Sequence, residues 1–196
     1  MPLAAIALFL FYGFLMLPVV GFQTDEIIFI HALAHPQDAL AWFHYFGGHD
    51  APYMLMSYLG ALKSWLYAPI MALFGPTVWA VRTPVLLAAA LTILLTGWFL
   101  RRISGWTAAL ITVSLLATDA TFQVTAVFDW GPVVLQNLLH IIGLILIVKW
   151  YREKKPALLF LAGFTFGLGL WNKALFLWNL SGMAVALIVV ALPTII

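Results

Sequence analysis

Long apolar runs separated by short polar breaks dominate this chain. A bilayer-spanning helix needs about 20 consecutive, mostly apolar residues. Runs of this kind are predicted to be helical, because an isolated strand would leave backbone groups unpaired in lipid. The qualifying segments are roughly 2–22, 79–100, 105–122, 130–149, 156–172 and 175–196. The pattern predicts an all-α, polytopic transmembrane helical bundle with about six spans.

The segment 53–74 fits two structures. It is apolar enough to span, but Lys63 lies at its centre and Pro69 interrupts it. A lysine in the middle of a bilayer costs about 2.5–3.5 kcal/mol on insertion scales. The alternative is a helix along the membrane surface, with the Lys63 ammonium reaching the lipid headgroups.

Basic residues give the bundle a predicted orientation, because cytoplasmic loops are enriched in Lys and Arg. Six of the nine basic residues lie in two short connections, one at 101–102 and one at 149–155. Two predicted spans separate these connections, so both are placed on the cytoplasmic side. The stretch 23–62 contains no Lys or Arg. Residues 23–79 are therefore predicted to form a first outer loop with interfacial helices, and the N-terminus is predicted to be cytoplasmic.

Composition agrees with a membrane location. The chain is 65% hydrophobic and 8% charged, against about 45–50% and about 25% in soluble domains. We expect a multi-pass protein of the cell inner (plasma) membrane, with the lipid bilayer as a partner and no nucleic acid. The first apolar run has no basic region before it and no small-residue cleavage site, which favours a retained span. Because the last residues are still apolar, we expect a single transmembrane domain over 1–196 that forms the N-terminal part of a longer protein.

Acidic residues gather on the predicted outer side, where chemistry with a lipid-borne substrate would take place. Asp25 and Glu26 directly follow the first span. They fit the first turn of an interfacial helix capped by the Thr24 hydroxyl, and they also fit a catalytic carboxylate at the membrane surface. Asp129 fits a helix cap before the 130–149 span, although acids at a membrane edge are candidates for function.

The other candidates are cations, histidines and one aromatic ring. Lys173 and Arg82 either reach the headgroups or bind the phosphate of a lipid carrier. His49 and Asp50 belong either to a polar loop with an aromatic belt, which includes Tyr53, or to a metal or phosphate site, since a divalent ion accepts both ligand types. The chain has no cysteine, which excludes thiolate ligands and disulfides.

These features resemble the GT-C superfamily of membrane glycosyltransferases. The resemblance rests on the acidic pair after the first span, the long outer loop and the segment FGPTVWAVRTPVLLAAALTILLTGWFLRRISG. It is strongest to the family 39 enzymes, which include protein O-mannosyltransferases and the bacterial aminoarabinose transferase of lipid A. Such enzymes transfer a sugar from a polyprenyl-phosphate carrier to a lipid, glycan or protein acceptor outside the cytoplasmic membrane or in the endoplasmic reticulum lumen.

The resemblance implies roles for individual residues. Asp25 matches the general base of the first outer loop and Glu26 matches its partner. Asp50 matches an acidic position linked to metal or substrate binding, and Asp129 matches the second outer-loop acid. Lys173 matches a lysine near the carrier phosphate.

Two departures affect carrier and acceptor recognition. Ala51 stands where some relatives carry a phosphate-binding lysine, and Trp171-Asn172-Lys173 replaces the more usual threonine–lysine pair. The predicted substrate-binding residues are Asp129, Lys173, Arg82 and Tyr53. The predicted metal ligands are His49 and Asp50.

The predicted reaction is a direct, inverting displacement. A carboxylate, Asp25, would take the proton of the acceptor. Lys173, together with a divalent ion near His49 and Asp50, would balance charge on the departing phosphate. Two other functions compete with this interpretation. A secondary transporter would need charges or broken helices near the bilayer midplane, and a non-catalytic scaffold subunit would use the acidic pair as caps only.

Overall fold

The computed structural model describes residues 2–45, 49–128 and 131–195, and it is mostly helical. The first helix, α1, covers Pro2–Met16. Two short helices follow, α2 (Thr24–Ala34) and α3 (Leu62–Phe74). The remaining helices are α4 (Val78–Ile103), α5 (Trp106–Thr118), α6 (Ala120–Phe128), α7 (Val133–Glu153), α8 (Pro156–Asn172) and α9 (Phe176–Ile195).

Two helices, α4 and α7, are long and apolar enough to cross a membrane. The pair α5 and α6 counts as a third crossing if it is one span, although it bends by 59°. The bend lies at Asp119, which leaves the helical conformation and accepts a 2.6 Å hydrogen bond from the Phe122 amide at the start of α6. Counted only over residues whose side chains are described, the other apolar helices have 10–17 residues. The described residues thus support a helical membrane protein with two or three candidate spans by length and composition, and the prediction of about six spans is not confirmed.

The first predicted span shows why the helices are shorter than the apolar runs. It was expected to reach residue 22, but α1 ends at Met16. Pro18 has no backbone N–H to continue the helix. At 1.5 Å per residue, the 15 residues of α1 extend over about 22 Å, less than the hydrocarbon core of about 30 Å.

Close helix contacts depend on small residues, as is common between membrane helices. A Cβ at Gly143 of α7 would overlap with the Phe166 ring of α8, and a Cβ at Gly97 of α4 would press on Val113 of α5. The centre of the bundle is apolar and fully buried at Phe9, Leu86 and Ile93. Large apolar side chains also cover the outer surface of the bundle, which suits a lipid environment. They include Leu87, Leu94, Ile111, Leu115 and Phe160.

The chain between α1 and α4 contains a small sheet that the sequence did not predict. Its strands are β1 (Ala41–Tyr45), β2 (His49–Met56) and β3 (Leu59–Gly60), antiparallel in the order β1-β2-β3. The ambiguous segment 53–74 is therefore divided among β2, β3 and α3. The 13 residues of α3 are too few for a span, which agrees with the outer-loop interpretation of this segment.

Lys63 in α3 does not reach outward to headgroups. Its side chain is 2% exposed, and its ammonium lies 4.6 Å from the centre of the Phe29 ring and 5.2 Å from that of Tyr67. The neighbouring Ser64 hydroxyl donates a 3.0 Å bond to the Phe29 carbonyl. These contacts pack α3 against α2, so the two helices of the predicted outer loop form one unit.

The end of α8 is joined to the sheet. Leu59 of β3 forms an isolated antiparallel bridge with Lys173, and the Ala174 amide donates a 2.9 Å bond to the Tyr58 carbonyl. A Cβ at Gly60 would collide with the carbonyl oxygen of Trp171. The absence of a side chain at Gly60 thus allows β3 to lie directly against the α8–α9 connection.

The two basic connections meet at one end of the bundle. A groove at that end is lined by residues of α4 and α7 that include Arg102, Lys149 and Arg152. Helix α7 extends over about 30 Å from this end. Its other end is its N-terminus, which follows Gly131 in the chain. The molecule therefore has a basic end and, about one bilayer thickness away, the end where α7 begins.

Candidate active site

Arg82 anchors the segment that follows α1. Its guanidinium donates to both carboxylate oxygens of Glu26, at 2.7 Å from Nε and 2.8 Å from Nη2. Nη1 donates to the carbonyls of Leu17 (2.8 Å) and Val20 (2.7 Å), and Nη2 donates to the Gly21 carbonyl at 2.7 Å. All five N–H donors of the arginine thus have an acceptor. These bonds satisfy three backbone carbonyls of the loop between α1 and α2.

Glu26 fixes the start of α2. Besides pairing with Arg82, it accepts a 2.9 Å bond from the backbone amide of Gln23, which is the N-cap of α2 in place of the predicted Thr24. Glu26 is 1% exposed and Arg82 is fully buried. The sequence predicted Glu26 as a catalytic partner and Arg82 as a substrate-binding residue. Neither side chain has a free surface, so their observed contacts position the loop, and their catalytic and substrate-binding roles stay predictions.

Asp25 and Lys173 meet at Gly131, just before α7. Gly131 has a φ of +65°, a conformation that glycine adopts without steric cost. A Cβ at this position would overlap with Lys173 Nζ and would lie 3.3 Å from Asp25 Oδ2. Both side chains are half-buried. The structure therefore brings together the predicted base and the predicted phosphate-binding cation, at the end of the bundle away from the basic groove.

Asn172 holds the two elements that carry this site. It is fully buried, and its Nδ2 donates a 3.0 Å bond to the carbonyl of Pro132, the residue after Gly131. The end of α8 is thereby tied to the start of α7. Sequence reasoning noted Asn172 only as a departure from the family pattern. A polar amide at the end of an apolar helix, directly before the lysine, was the available signal.

Asp129, the second predicted outer-loop acid, lies outside the described residues. The role of Asp129 in substrate binding stays a prediction.

Tyr53 lies in β2 and is half exposed. Its ring stacks on Trp171, with 5.5 Å between centroids, and its carbonyl accepts a 3.1 Å bond from Trp171 Nε1. Trp171, the stacking partner of Tyr53, is two residues before Lys173 in the chain. A substrate-binding role for Tyr53 stays a prediction.

His49 and Asp50 do not form one ligand set. In the β1–β2 pairing Asp50 lies opposite His44 and pairs with its ring, and it also accepts a 3.1 Å bond from Gln37. His49 lies opposite Tyr45 and packs against that ring, on the other face of the sheet, because successive strand residues alternate. Within the described ranges, no group of three or more histidine and acidic side chains converges. The predicted metal site at His49 and Asp50 does not fit this arrangement.

An apolar cavity opens at the start of α7. It has a volume of about 110 Å³ and lies between α3, α4 and α7, with Tyr67, Val85, Val134 and Leu135 in its walls. Val134 and Leu135 belong to the first turn of α7. The cavity thus borders the helix that Gly131 precedes.

The sequence profile of the dolichyl-phosphate-mannose-protein mannosyltransferase family matches residues 60–195, more than half of the chain. The chain belongs to this family of GT-C-type membrane glycosyltransferases, so the resemblance seen in the sequence is confirmed. No curated protein and no solved structure matches the chain. The matched range contains Arg82 and Lys173, whereas Asp25 and Glu26 precede it.

Proposed function

We propose that this protein transfers a sugar from a polyprenyl-phosphate-linked donor to an acceptor on the extracytoplasmic side of the cell inner membrane. The observation that carries the proposal is the meeting of the Asp25 carboxylate and the Lys173 ammonium at Gly131. Family membership supports the reaction class. It also weighs against the transporter and scaffold alternatives.

Asp25 acts as the general base. As the acceptor oxygen attacks the anomeric carbon, its proton passes to the Asp25 carboxylate. The new bond joins the acceptor oxygen to that carbon on the face opposite the phosphate, so the configuration inverts. The bond from the anomeric carbon to the phosphate oxygen breaks, and the polyprenyl phosphate leaves with its electron pair.

Lys173 binds the phosphate. The departing group gains negative charge, and an ammonium already held in position stabilises it without reorganisation. The bridge from Leu59 holds the backbone of the lysine itself, and the bond from Asn172 to the Pro132 carbonyl holds the residue before it. The apolar cavity between α3, α4 and α7 offers the first isoprene units a path toward lipid.

The experiment is sugar transfer by the full-length protein in native membranes, with radiolabelled polyprenyl-phosphate donors. We expect Asp25→Asn to lower transfer by about 10²–10⁴-fold, since it removes the proton acceptor. Asp38→Asn is the matched control, because Asp38 is an exposed acid of the same segment that pairs with His31 at 2.8 Å. Its transfer should stay near the unmodified level.

Two results would overturn the proposal. Normal turnover of Asp25→Asn, at equal amounts of protein in the membrane, would remove Asp25 as the base. Absence of transfer by the unmodified protein from every polyprenyl-phosphate sugar tried would remove the donor class.

A further inference from the structure

A continuous row of aromatic rings runs along one face of the β1–β2 hairpin. It starts with His49 and Tyr45, whose ring centroids are 5.7 Å apart. Tyr45 lies 6.5 Å from Phe43, the next residue of β1 on that face, and Phe43 lies 6.0 Å from Trp65 of α3. The rings thus connect the hairpin to α3 without a gap.

The row continues to the end of α8. Trp65 contacts Trp171 edge to face at 5.2 Å, and Trp171 stacks on Tyr53 at 5.5 Å. We call this set the aromatic track; its members are His49, Tyr45, Phe43, Trp65, Trp171 and Tyr53.

The two tryptophans of the track are fixed in place by hydrogen bonds. Trp65 Nε1 donates a 2.7 Å bond to the Pro52 carbonyl, and Trp171 Nε1 donates to the Tyr53 carbonyl. Rings that anchor a protein at the membrane interface keep their polar end toward water and headgroups. Here both indole N–H groups are used inside the protein, while 42% of Trp65 and 40% of Phe43 are exposed. Exposed rings whose N–H groups are bonded inside the protein leave apolar ring surface available for a ligand.

The track leads to the proposed active site. Trp171 is two residues before Lys173, and its carbonyl lies against Gly60 of β3. The next residue back along β3, Leu59, bridges to Lys173 itself. The track therefore includes a ring, Trp171, on the same short backbone segment as Lys173.

Charge narrows the class of ligand. The stretch 23–62, which carries the hairpin, has no Lys or Arg, so a polyanion would find no counter-charge along most of the track. A neutral pyranose fits better, since its C–H face carries weakly positive hydrogens that match the negative face of an aromatic ring. The hydroxyls at the sugar edge would meet the phenols of Tyr45 and Tyr53 and the imidazole of His49.

We propose that the aromatic track binds the acceptor through a neutral saccharide chain, with sugar rings stacked on the track and the reacting hydroxyl directed to Asp25. This inference rests on the proposed function and narrows the acceptor to a glycan or a glycan-bearing molecule.

The test measures saccharide binding separately from transfer. The full-length protein in lipid nanodiscs is titrated with cellohexaose, maltohexaose, mannohexaose and chitohexaose, with saturation-transfer NMR and calorimetry as readouts. At least one of these probes should bind. Phe43→Ala and Tyr45→Ala should each weaken that binding about tenfold, the scale of one lost aromatic contact.

Trp42→Ala is the matched control. Trp42 is also in β1 and is 38% exposed, close to the 40% of Phe43, but as its immediate neighbour it lies on the opposite face. Binding by Trp42→Ala should stay within about twofold of the unmodified protein. The proposal is overturned if none of the four probes binds, or if Trp42→Ala weakens binding as much as Phe43→Ala.

A second measurement tests the membrane alternative. Brominated lipids quench tryptophan emission at the bilayer interface, so a quenched component that disappears in Trp65→Phe would place the track against lipid and overturn the proposal.

Failure of the proposed function can be told apart from failure of the track. It would appear as saccharide binding without sugar transfer. Failure of the track would appear as normal transfer that is insensitive to Phe43→Ala and Tyr45→Ala. If both hold, these variants raise the acceptor KM and leave kcat near the unmodified value.

Discussion

At the residue scale, the buried pair of Arg82 and Glu26 determines where Asp25 lies. Asp25 is the residue before Glu26 in the first turn of α2, so any movement of Glu26 is passed to it. The arginine holds three backbone carbonyls as well as the carboxylate. Removal of its charge would leave a carboxylate buried without a cation.

Arg82→Gln should therefore unfold more easily. Breaking a buried ion pair by removing one partner costs about 3–5 kcal/mol. Thermal unfolding in detergent measures the change, and Arg152→Gln, an exposed arginine at the end of α7, is the control. If Arg82 bound substrate instead, its variant would keep the stability of the unmodified protein and show a higher donor KM.

Gly131 gives a sharper test of the site, because its side-chain position is taken up by Lys173 and Asp25. Gly131→Ala combines a backbone cost at positive φ with direct displacement of the Lys173 ammonium. We expect sugar transfer to fall at least about tenfold, which corresponds to a barrier increase of about 1.4 kcal/mol.

Gly75→Ala is the control for the backbone term. Gly75 has a φ of +68°, nearly that of Gly131, and a Cβ there would meet nothing within 4 Å. The two variants should lose similar stability, whereas only Gly131→Ala should lose transfer. Equal transfer by both would show that Lys173 does not act from this position.

At the scale of elements, the contact between α7 and α8 sets the distance between the two halves of the site. Gly131 precedes α7, and Lys173 follows α8. Gly143 lets the two helices approach until its backbone in α7 contacts the Phe166 ring of α8. Gly143→Ala should push the helices apart, with a loss of stability of about 1–3 kcal/mol from overpacking. Thermal unfolding measures it, and transfer should fall as well.

Gly163→Ala in α8 provides the comparison, because a Cβ there would meet nothing within 4 Å. Its stability should stay unchanged or rise. A Gly143→Ala protein as stable as Gly163→Ala would mean that this glycine does not set the helix spacing.

The sequence predicted the elements better than the contacts between them. The apolar runs at 79–100 and 130–149 gave α4 and α7 because hydropathy is local. The sequence does not predict the hairpin, because an interfacial aromatic belt and an aromatic hairpin contain the same rings. Arg82 and Lys173 looked equivalent, yet the acceptors of Arg82 lie 56 to 65 residues away in the chain. Only the fold shows that Arg82 donates all its hydrogen bonds inside the protein and that Lys173 lies near Asp25.

At the scale of the whole molecule, the separation of charge along α7 gives the protein a predicted orientation in the membrane. Arg102, Lys149 and Arg152 gather at one end, and Asp25 and Lys173 lie at the other, about 30 Å away. Basic residues favour the cytoplasmic side, so the acid and lysine should face outward. The donor and the acceptor would then meet at the outer edge of the membrane.

Single-cysteine labelling tests this orientation directly, because the chain contains no cysteine of its own. Leu40→Cys reports on the segment before β1, where Leu40 is 64% exposed, and Ser104→Cys reports on the exposed connection after α4. In intact cells a membrane-impermeant maleimide should label Leu40→Cys at once and Ser104→Cys only after permeabilisation. The reverse order would place the site in the cytoplasm, and labelling of both from outside would mean that α4 does not cross the bilayer. Either result would contradict the proposal that the active site and its acceptor are on the extracytoplasmic side.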